Sequence, residues 1–257
     1  MPAQKITFKG ALGADLAAKL DTPDGTPRAY ALFAHCFTCG KDLNAINRIA
    51  KALNDDDIAL FRFDFTGLGR SNGDFANTNF SSNVADLLAA ADFMRDELEA
   101  PAIMMGHSLG GAATLVAAGK VPEVKAVATI AAPFDSENVL KQFSDDLDRI
   151  AEQGEATVSL AGRPFKIKHQ FVEDARAQNV EAAIKALKKP LLVMHSPVDE
   201  TVSVDHARRI FVAAKHPKSY VSLDLADHLL MERPHDGVYV ARVLSAWASQ
   251  YLDDVTS

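Results

Sequence analysis

Basic charge, cysteine and long apolar runs are all scarce in this sequence, and each scarcity narrows what the chain can be. Only 27 Lys and Arg stand against 34 Asp and Glu in 257 residues, a net charge of −7. Without a basic excess there is no general attraction to nucleic-acid phosphates or to an anionic lipid surface, so neither partner is expected. The two cysteines, Cys36 and Cys39, are too few for a disulfide framework, and Met1-Pro2-Ala3-Gln4-Lys5-Ile6 lacks the basic-then-apolar run of a secretory leader. A cytoplasmic protein is the expectation. One uncharged stretch, 100–119, is long enough for a membrane span. It carries Pro101, His107, Ser108 and four glycines, and reads better as a buried strand followed by a buried helix.

What is present is a 48% hydrophobic, 24% charged composition, ordinary for a globular chain with a sizeable core. Short β-rich runs alternate with helix-period runs, which predicts parallel strands joined by helical crossovers. An opening hairpin is expected over 5–9 and 14–20. Strands follow at 30–34, 58–63, 102–105, 126–130, 191–194 and 220–225, and helices at 43–53, 83–98, 109–118, 204–214 and 238–251. The alternation lapses between 134 and 188, where an amphipathic segment (Val139, Leu140, Phe143, Leu147, Ile150) precedes a hairpin expected to turn at Ala161-Gly162-Arg163-Pro164. Structureless loops of that length are uncommon inside compact domains, so 134–188 is expected to be an inserted cap on a core made of 1–133 and 189–257.

Gly106-His107-Ser108-Leu109-Gly110 has the pattern G-x-S-x-G. An apolar strand runs into it and an Ala-rich helix leaves it, the strand-turn-helix context of a nucleophile elbow. A serine hydroxyl needs an imidazole to take its proton and a carboxylate to orient that imidazole. Asp199, after strand 191–194, and His228, after strand 220–225, come in the order such elbows require, Ser, acid, His. The blander readings are a helix-capping Asp199 and a surface His228; Asp224 and Asp227 lie too close to His228 to orient it easily, and Asp205 reads as a first-turn helix acid. An acyl-transfer site also needs donors for a developing oxyanion. The expected pair is the backbone N–H of Leu109 and that of Phe37 in the loop His35-Cys36-Phe37-Thr38-Cys39-Gly40. Cys36-x-x-Cys39 is read as two small residues packed in a tight loop in preference to a redox pair, and a lone pair gives no structural zinc site. Asp64 is expected to accept loop N–H groups, and His35 and His107 to pack and hydrogen-bond.

With those residues in place the sequence resembles the α/β-hydrolase fold, and more narrowly the hydrolase domain of bacterial proteins that fuse an α/β hydrolase to an OsmC-like domain. The likeness rests on His35 to Cys39, on Arg62-Phe63-Asp64-Phe65-Thr66-Gly67-Leu68-Gly69 with Gly73-Asp74-Phe75, on Gly106 to Gly111 and on Asp227-His228-Leu229-Leu230. The Phe-Thr after His35 and the R-F-D-F segment are also similar to capped cinnamoyl (feruloyl) esterases. The resemblance implies a mostly parallel eight-stranded sheet flanked by helices, with an inserted cap. It further implies a serine hydrolase that cleaves a small carboxylic ester through an acyl-enzyme on Ser108, with no cofactor or metal, and an OsmC-like domain or protein as a possible partner. Thioesterase and amidase chemistry would use the same triad. The rival expectation is a non-catalytic or redox-switched module attached to an OsmC-type peroxidase.

Overall fold

The computed structural model describes residues 3–252. Among the described residues, ten strands form two sheets. The larger is eight-stranded in the order β1-β2-β4-β3-β5-β6-β9-β10, with bounds β1 Gln4–Lys9, β2 Asp15–Asp21, β3 Ala29–Ala34, β4 Ile58–Phe63, β5 Ile103–His107, β6 Ala126–Ile130, β9 Leu191–His195 and β10 Lys218–Ser222. β1 and β2 are antiparallel to their neighbours; every other pairing in this sheet is parallel. A separate antiparallel hairpin pairs β7 Glu155–Leu160 with β8 Arg163–Lys168.

The central strands are apolar on both faces because both are covered, which is why they read as continuous hydrophobic runs. Alternate residues serve opposite cores. Ala31, Phe33, Ile58, Leu60, Ile103, Met105, Leu192 and Met194 pack with α1 (Asn44–Asn54) and α8 (Pro234–Leu252). Leu32, Ala34, Ala59, Phe61, Met104, Val127 and Val193 pack with α2 (Phe80–Glu97), α3 (Leu109–Ala117) and α7 (Asp205–Ala213) on the other side. The uncharged stretch divides into β5 and α3, and no helix among the described residues is long and apolar enough to cross a membrane.

Between the adjacent strands β6 and β9 the chain builds an irregular 3₁₀ segment Ser136–Asp146, α4 Leu147–Gln153, the β7–β8 hairpin, α5 His169–Ala177 and α6 Val180–Ala186. The hairpin turns at Ala161-Gly162, with φ of 49° and 73°.

Several boundaries differ from the sequence expectation for local reasons. α2 starts at Phe80 because Asn79 and Ser82 cap each other reciprocally, Asn79 Oδ1 accepting Ser82 N–H at 2.8 Å and Ser82 Oγ accepting Asn79 N–H at 2.9 Å. α8 opens four residues early at Pro234, whose fixed φ suits a first helical turn. β10 ends at Ser222: Leu223 N–H makes the last ladder bond, to His195 O at 2.9 Å, and the chain then turns, with Leu225 at φ +64° and Ala226 N–H on Leu223 O at 3.0 Å.

The order of the sheet also places the site. From β3 the chain crosses to β4 on one side and then returns to β5 on the other, so the connections after β3 and β5 diverge and leave a crevice at their C-terminal ends.

Candidate active site

Ser108 sits in that crevice, between the end of β5 and the start of α3. Its φ of +53° and ψ of −127° are outside the regions L-residues prefer, a turn held by Ser108 N–H on Ile130 O at 2.9 Å and by Gly111 N–H on Ser108 O at 2.8 Å. A Cβ on Gly106 would strike Gly110 O, and one on Gly110 would strike His35 O, so both glycines are required by close backbone approach. Leu109 and Gly110 open α3, where N–H groups have no carbonyl a turn earlier to bond.

His228 and Asp199 converge on the serine from two other strand ends. His228 Nε2 lies 3.1 Å from Ser108 Oγ and Nδ1 lies 2.8 Å from Asp199 Oδ2. The other oxygen of Asp199 accepts Thr201 N–H and Val202 N–H, both at 2.9 Å. Burial pushes the Asp199 carboxyl up, but the adjacent His195 imidazole and hydrogen bonds from His228 and Val202 N–H outweigh it and leave it well below the usual range. An ionised carboxylate can only accept, so His228 carries its proton on Nδ1 and presents Nε2 as an acceptor to the serine hydroxyl.

Two further histidines brace this centre: His107, expected to pack and hydrogen-bond beside the elbow, and His195, which sequence reasoning did not single out. His107 Nε2 donates to His228 O at 2.7 Å, and burial together with the neighbouring His228 pushes its imidazole down to about 3, so it stays neutral. His195 is fully buried, donates to Val202 O at 2.7 Å and lies 3.5 Å from Asp199 Oδ2. Neither has a sequence signal beyond its place at a strand end. The rival acids are otherwise engaged: Asp227 accepts N–H groups of Leu229, Met231 and Glu232, and Asp205 pairs with Arg208 at 2.7 Å in the first turn of α7.

The loop after β3 forms the facing wall. In the β3–β5 register Ala34 lies opposite Gly106, and the close approach of Gly110 to Ala34 O and His35 O sets the start of the loop against the first turn of α3. His35 Nδ1 donates to Cys36 O at 2.7 Å and its Nε2 accepts Phe65 N–H at 3.2 Å. Burial lowers the His35 pKa, in keeping with this neutral, single-tautomer role. With Cys36 O held by His35 and, at 3.1 Å, by Cys39 N–H, the planar peptide directs Phe37 N–H the opposite way. Behind the loop, buried Asp64 accepts Lys41 N–H at 2.7 Å, Arg70 N–H at 2.9 Å and the Lys41 ammonium.

The cysteines depart from the expected pair of packed thiols. They are joined in a disulfide, with Cα atoms 5.3 Å apart, because Cys36-Phe37-Thr38-Cys39 forms a tight turn that brings the first and last side chains together.

The β6–β9 connection closes over this wall. Phe37 packs on Phe75 (ring centroids 5.9 Å) and Phe171 (5.5 Å), Phe75 on Phe165 (5.0 Å), and Phe171 on Phe143 (6.2 Å). Arg163, at the hairpin turn, donates to Thr38 O and stacks over Phe165.

Comparison with known proteins bears on the fold and the family. The chain is 46% identical to the esterase domain of a Rhodothermus marinus protein, the match covering 98% of this chain and 100% of that one with a TM-score of 0.79. The ferulic-acid-bound structure of Est1E from Butyrivibrio proteoclasticus shares the fold at 22% identity, covering 95% and 98% with a TM-score of 0.78. Among curated relatives, monoglyceride lipase of Rattus norvegicus is 32% identical over 39% of this chain, and the mitochondrial palmitoyl-protein thioesterase ABHD10 of Mus musculus is 26% identical over 74%. The matches span 33% and 64% of those two proteins' own lengths. Residues 25–163, more than half of the chain, match the family described as serine aminopeptidase, S33, and the chain belongs to that family of α/β hydrolases.

Proposed function

We propose that the chain is a serine hydrolase that cleaves carboxylic esters through an acyl-enzyme on Ser108, with His228 as general base and then acid, and Asp199 as its orienting carboxylate. The observation that carries this reading is the unbroken hydrogen-bond chain from Ser108 Oγ to His228 Nε2 (3.1 Å) and from His228 Nδ1 to Asp199 Oδ2 (2.8 Å). A non-catalytic module would have no need to hold Ser108 at a strained φ within hydrogen-bond reach of an imidazole. The relatives' names, esterase, lipase and thioesterase, denote release of an acyl group from oxygen or sulfur, and the ester is the bond the resemblance favours.

In the first half-reaction His228 Nε2 takes the hydroxyl proton as Ser108 Oγ adds to the ester carbonyl, and Asp199 stabilises the imidazolium that forms. The carbonyl oxygen becomes an oxyanion between Leu109 N–H, at the positive end of α3, and Phe37 N–H. Collapse expels the alcohol, which receives the proton from Nε2. Water then repeats the sequence on the acyl-enzyme with His228 again as base, releasing the acid. No metal or organic cofactor enters the scheme.

Residues 134–188 serve in this reading as a cap over a core of 1–133 and 189–257. Phe143, Phe165 and Phe171 from the cap meet Phe37 and Phe75 from the core in one aromatic cluster beside the oxyanion loop, which suits an uncharged, apolar or aromatic acyl group. A fluorophosphonate probe and a panel of p-nitrophenyl esters of varied acyl length and aromaticity test the assignment. Labelling at Ser108, abolished in Ser108→Ala, with turnover of apolar acyl esters, is the expected result. A folded protein that neither labels nor turns over any ester would refute it.

A further inference from the structure

The sulfur bridge that closes the Cys36–Cys39 turn is a part of the site that the reaction scheme does not use. The sulfur bridge and the Cys39 N–H to Cys36 O bond close the same four residues, one covalently and one at 3.1 Å. Inside the closed turn Thr38 holds φ at +59°, a region a β-branched residue avoids unless its neighbours impose it. The two sulfur residues are unequally accessible: Cys36 is 4% exposed, whereas Cys39 is half-buried at the rim.

The geometry points to the Cys36–Cys39 bridge as a thiol-exchange site that positions the oxyanion donor Phe37 N–H, the bridged form being the competent enzyme and dithiol reductants its antagonists. This rests on the hydrolase reading above. Phe37 N–H is aimed through its own peptide plane, whose carbonyl, Cys36 O, is held by His35 Nδ1–H and Cys39 N–H. Opening the bridge releases Thr38 from its left-handed conformation and Cys39 N–H from Cys36 O. One of the two holds on that peptide is then lost and the donor swings, while Ser108, His228 and Asp199 stay in place on other elements.

The exchange is a two-electron reduction. A thiolate of the dithiol attacks Sγ of Cys39, the more exposed of the two residues, breaking the Cys36–Cys39 bond; Cys36 leaves as a thiolate and takes a proton. The second thiol of the reductant attacks its own sulfur in the mixed disulfide, freeing the Cys39 thiolate, which takes a proton, and leaving the reductant as a cyclic disulfide.

The test poises wild-type protein in dithiothreitol redox buffers, counts free thiols by mass after alkylation, and follows kcat, KM, fluorophosphonate labelling of Ser108 and the melting temperature. The expected result is a fall in kcat of roughly tenfold or more, towards the ~10² to 10³ typical of a lost oxyanion donor, in step with the appearance of two thiols and reversed on reoxidation. KM should change by no more than about twofold. Cys39→Ser should show the low kcat at every poise. Unchanged kcat in fully reduced protein overturns the proposal while ester turnover leaves the hydrolase reading intact. Loss of activity that merely follows loss of the melting transition overturns it in favour of a structural staple. Absence of both labelling and turnover in the bridged, folded protein overturns the hydrolase reading, and this proposal with it.

Discussion

The two walls of the site are made in different ways. The wall carrying Ser108, Asp199 and His228 is assembled at the ends of neighbouring strands and locked by backbone bonds close at hand: Ser108 N–H to Ile130 O, two N–H groups on Asp199 Oδ1, and three on Asp227 within the His228 loop. The wall carrying Phe37 hangs on one turn, clasped by a sulfur bridge and by Arg163, 125 residues away in the hairpin. The first wall is built into the sheet and inherits its rigidity. The second depends on parts that can be exchanged or moved, and the aromatic cluster of Phe37, Phe75, Phe143, Phe165 and Phe171 is packed there.

The sharpest break of this contrast lies in the first wall. Ser108→Ala and His228→Ala should each lower kcat by about 10⁴ or more, and the double variant should be little worse than either, because the groups act as a unit. Asp199→Asn should be severe but milder, since Thr201 and Val202 N–H still hold the side chain while its amide cannot stabilise the imidazolium. Near-wild-type kcat in any one folded variant removes that residue from the mechanism.

Damage to the second wall should show up in selectivity where its aromatic side chains are removed and in kcat where the turn itself is loosened. Replacing residues 137–187 with a short Gly/Ser linker removes Phe143, Phe165 and Phe171 together. The ranking of p-nitrophenyl esters by kcat/KM should flatten across acyl groups while a small acetate ester is still cleaved; an unchanged ranking would show that this segment does not select the acyl group. A finer cut is Arg163→Ala, which takes the guanidinium from Thr38 O and from the Phe165 ring. We expect kcat to fall by roughly tenfold with the melting temperature little changed, and Arg163→Lys to recover part of it through its single ammonium donor. Equal kcat in both variants and wild type would mean the hairpin does not hold the turn.

The same contrast explains what could be read from the sequence. The elbow, the order of Ser108, Asp199 and His228 and the doubly buried strands were legible because each is a local pattern with one geometric solution: G-x-S-x-G between an apolar run and an Ala-rich run, acid and base after successive strands. The segment 134–188 was legible only as a lapse. Its helices α5 and α6 have nine and seven residues, too short for periodicity to separate from loop, and the 3₁₀ run 136–146 has no helical repeat of its own. His107 and Arg163 act through partners 121 and 125 residues away, a pairing no local pattern encodes. The cysteine spacing announced proximity, but the turn that joins the sulfurs depends on Thr38 adopting positive φ, which its residue type argues against.

The smallest effect expected concerns His107, the brace between the walls' shared floor and the His228 loop. Folded, its imidazole is pushed down to about 3 by burial and by His228; unfolded, it titrates near 6.5. Below that higher value the unfolded chain binds a proton the native state refuses, so stability is full above about pH 6.5 and declines as pH falls towards 3, by at most about 1.4 kcal/mol per pH unit. Burial lowers His35 and His206 too, so the acid sensitivity is shared and one substitution removes only part of it. His107→Gln offers an amide N–H to His228 O in place of the Nε2 proton and deletes the titrating group. Its melting temperature should fall less steeply than the wild type's between pH 6.5 and 4.5, with the two proteins closest at the acid end, while kcat at pH 8 changes by less than about threefold. Parallel melting curves across that range would show that His107 is not held neutral by its surroundings, and a large loss of kcat at pH 8 would show that the amide cannot replace the imidazole as the support of the His228 loop.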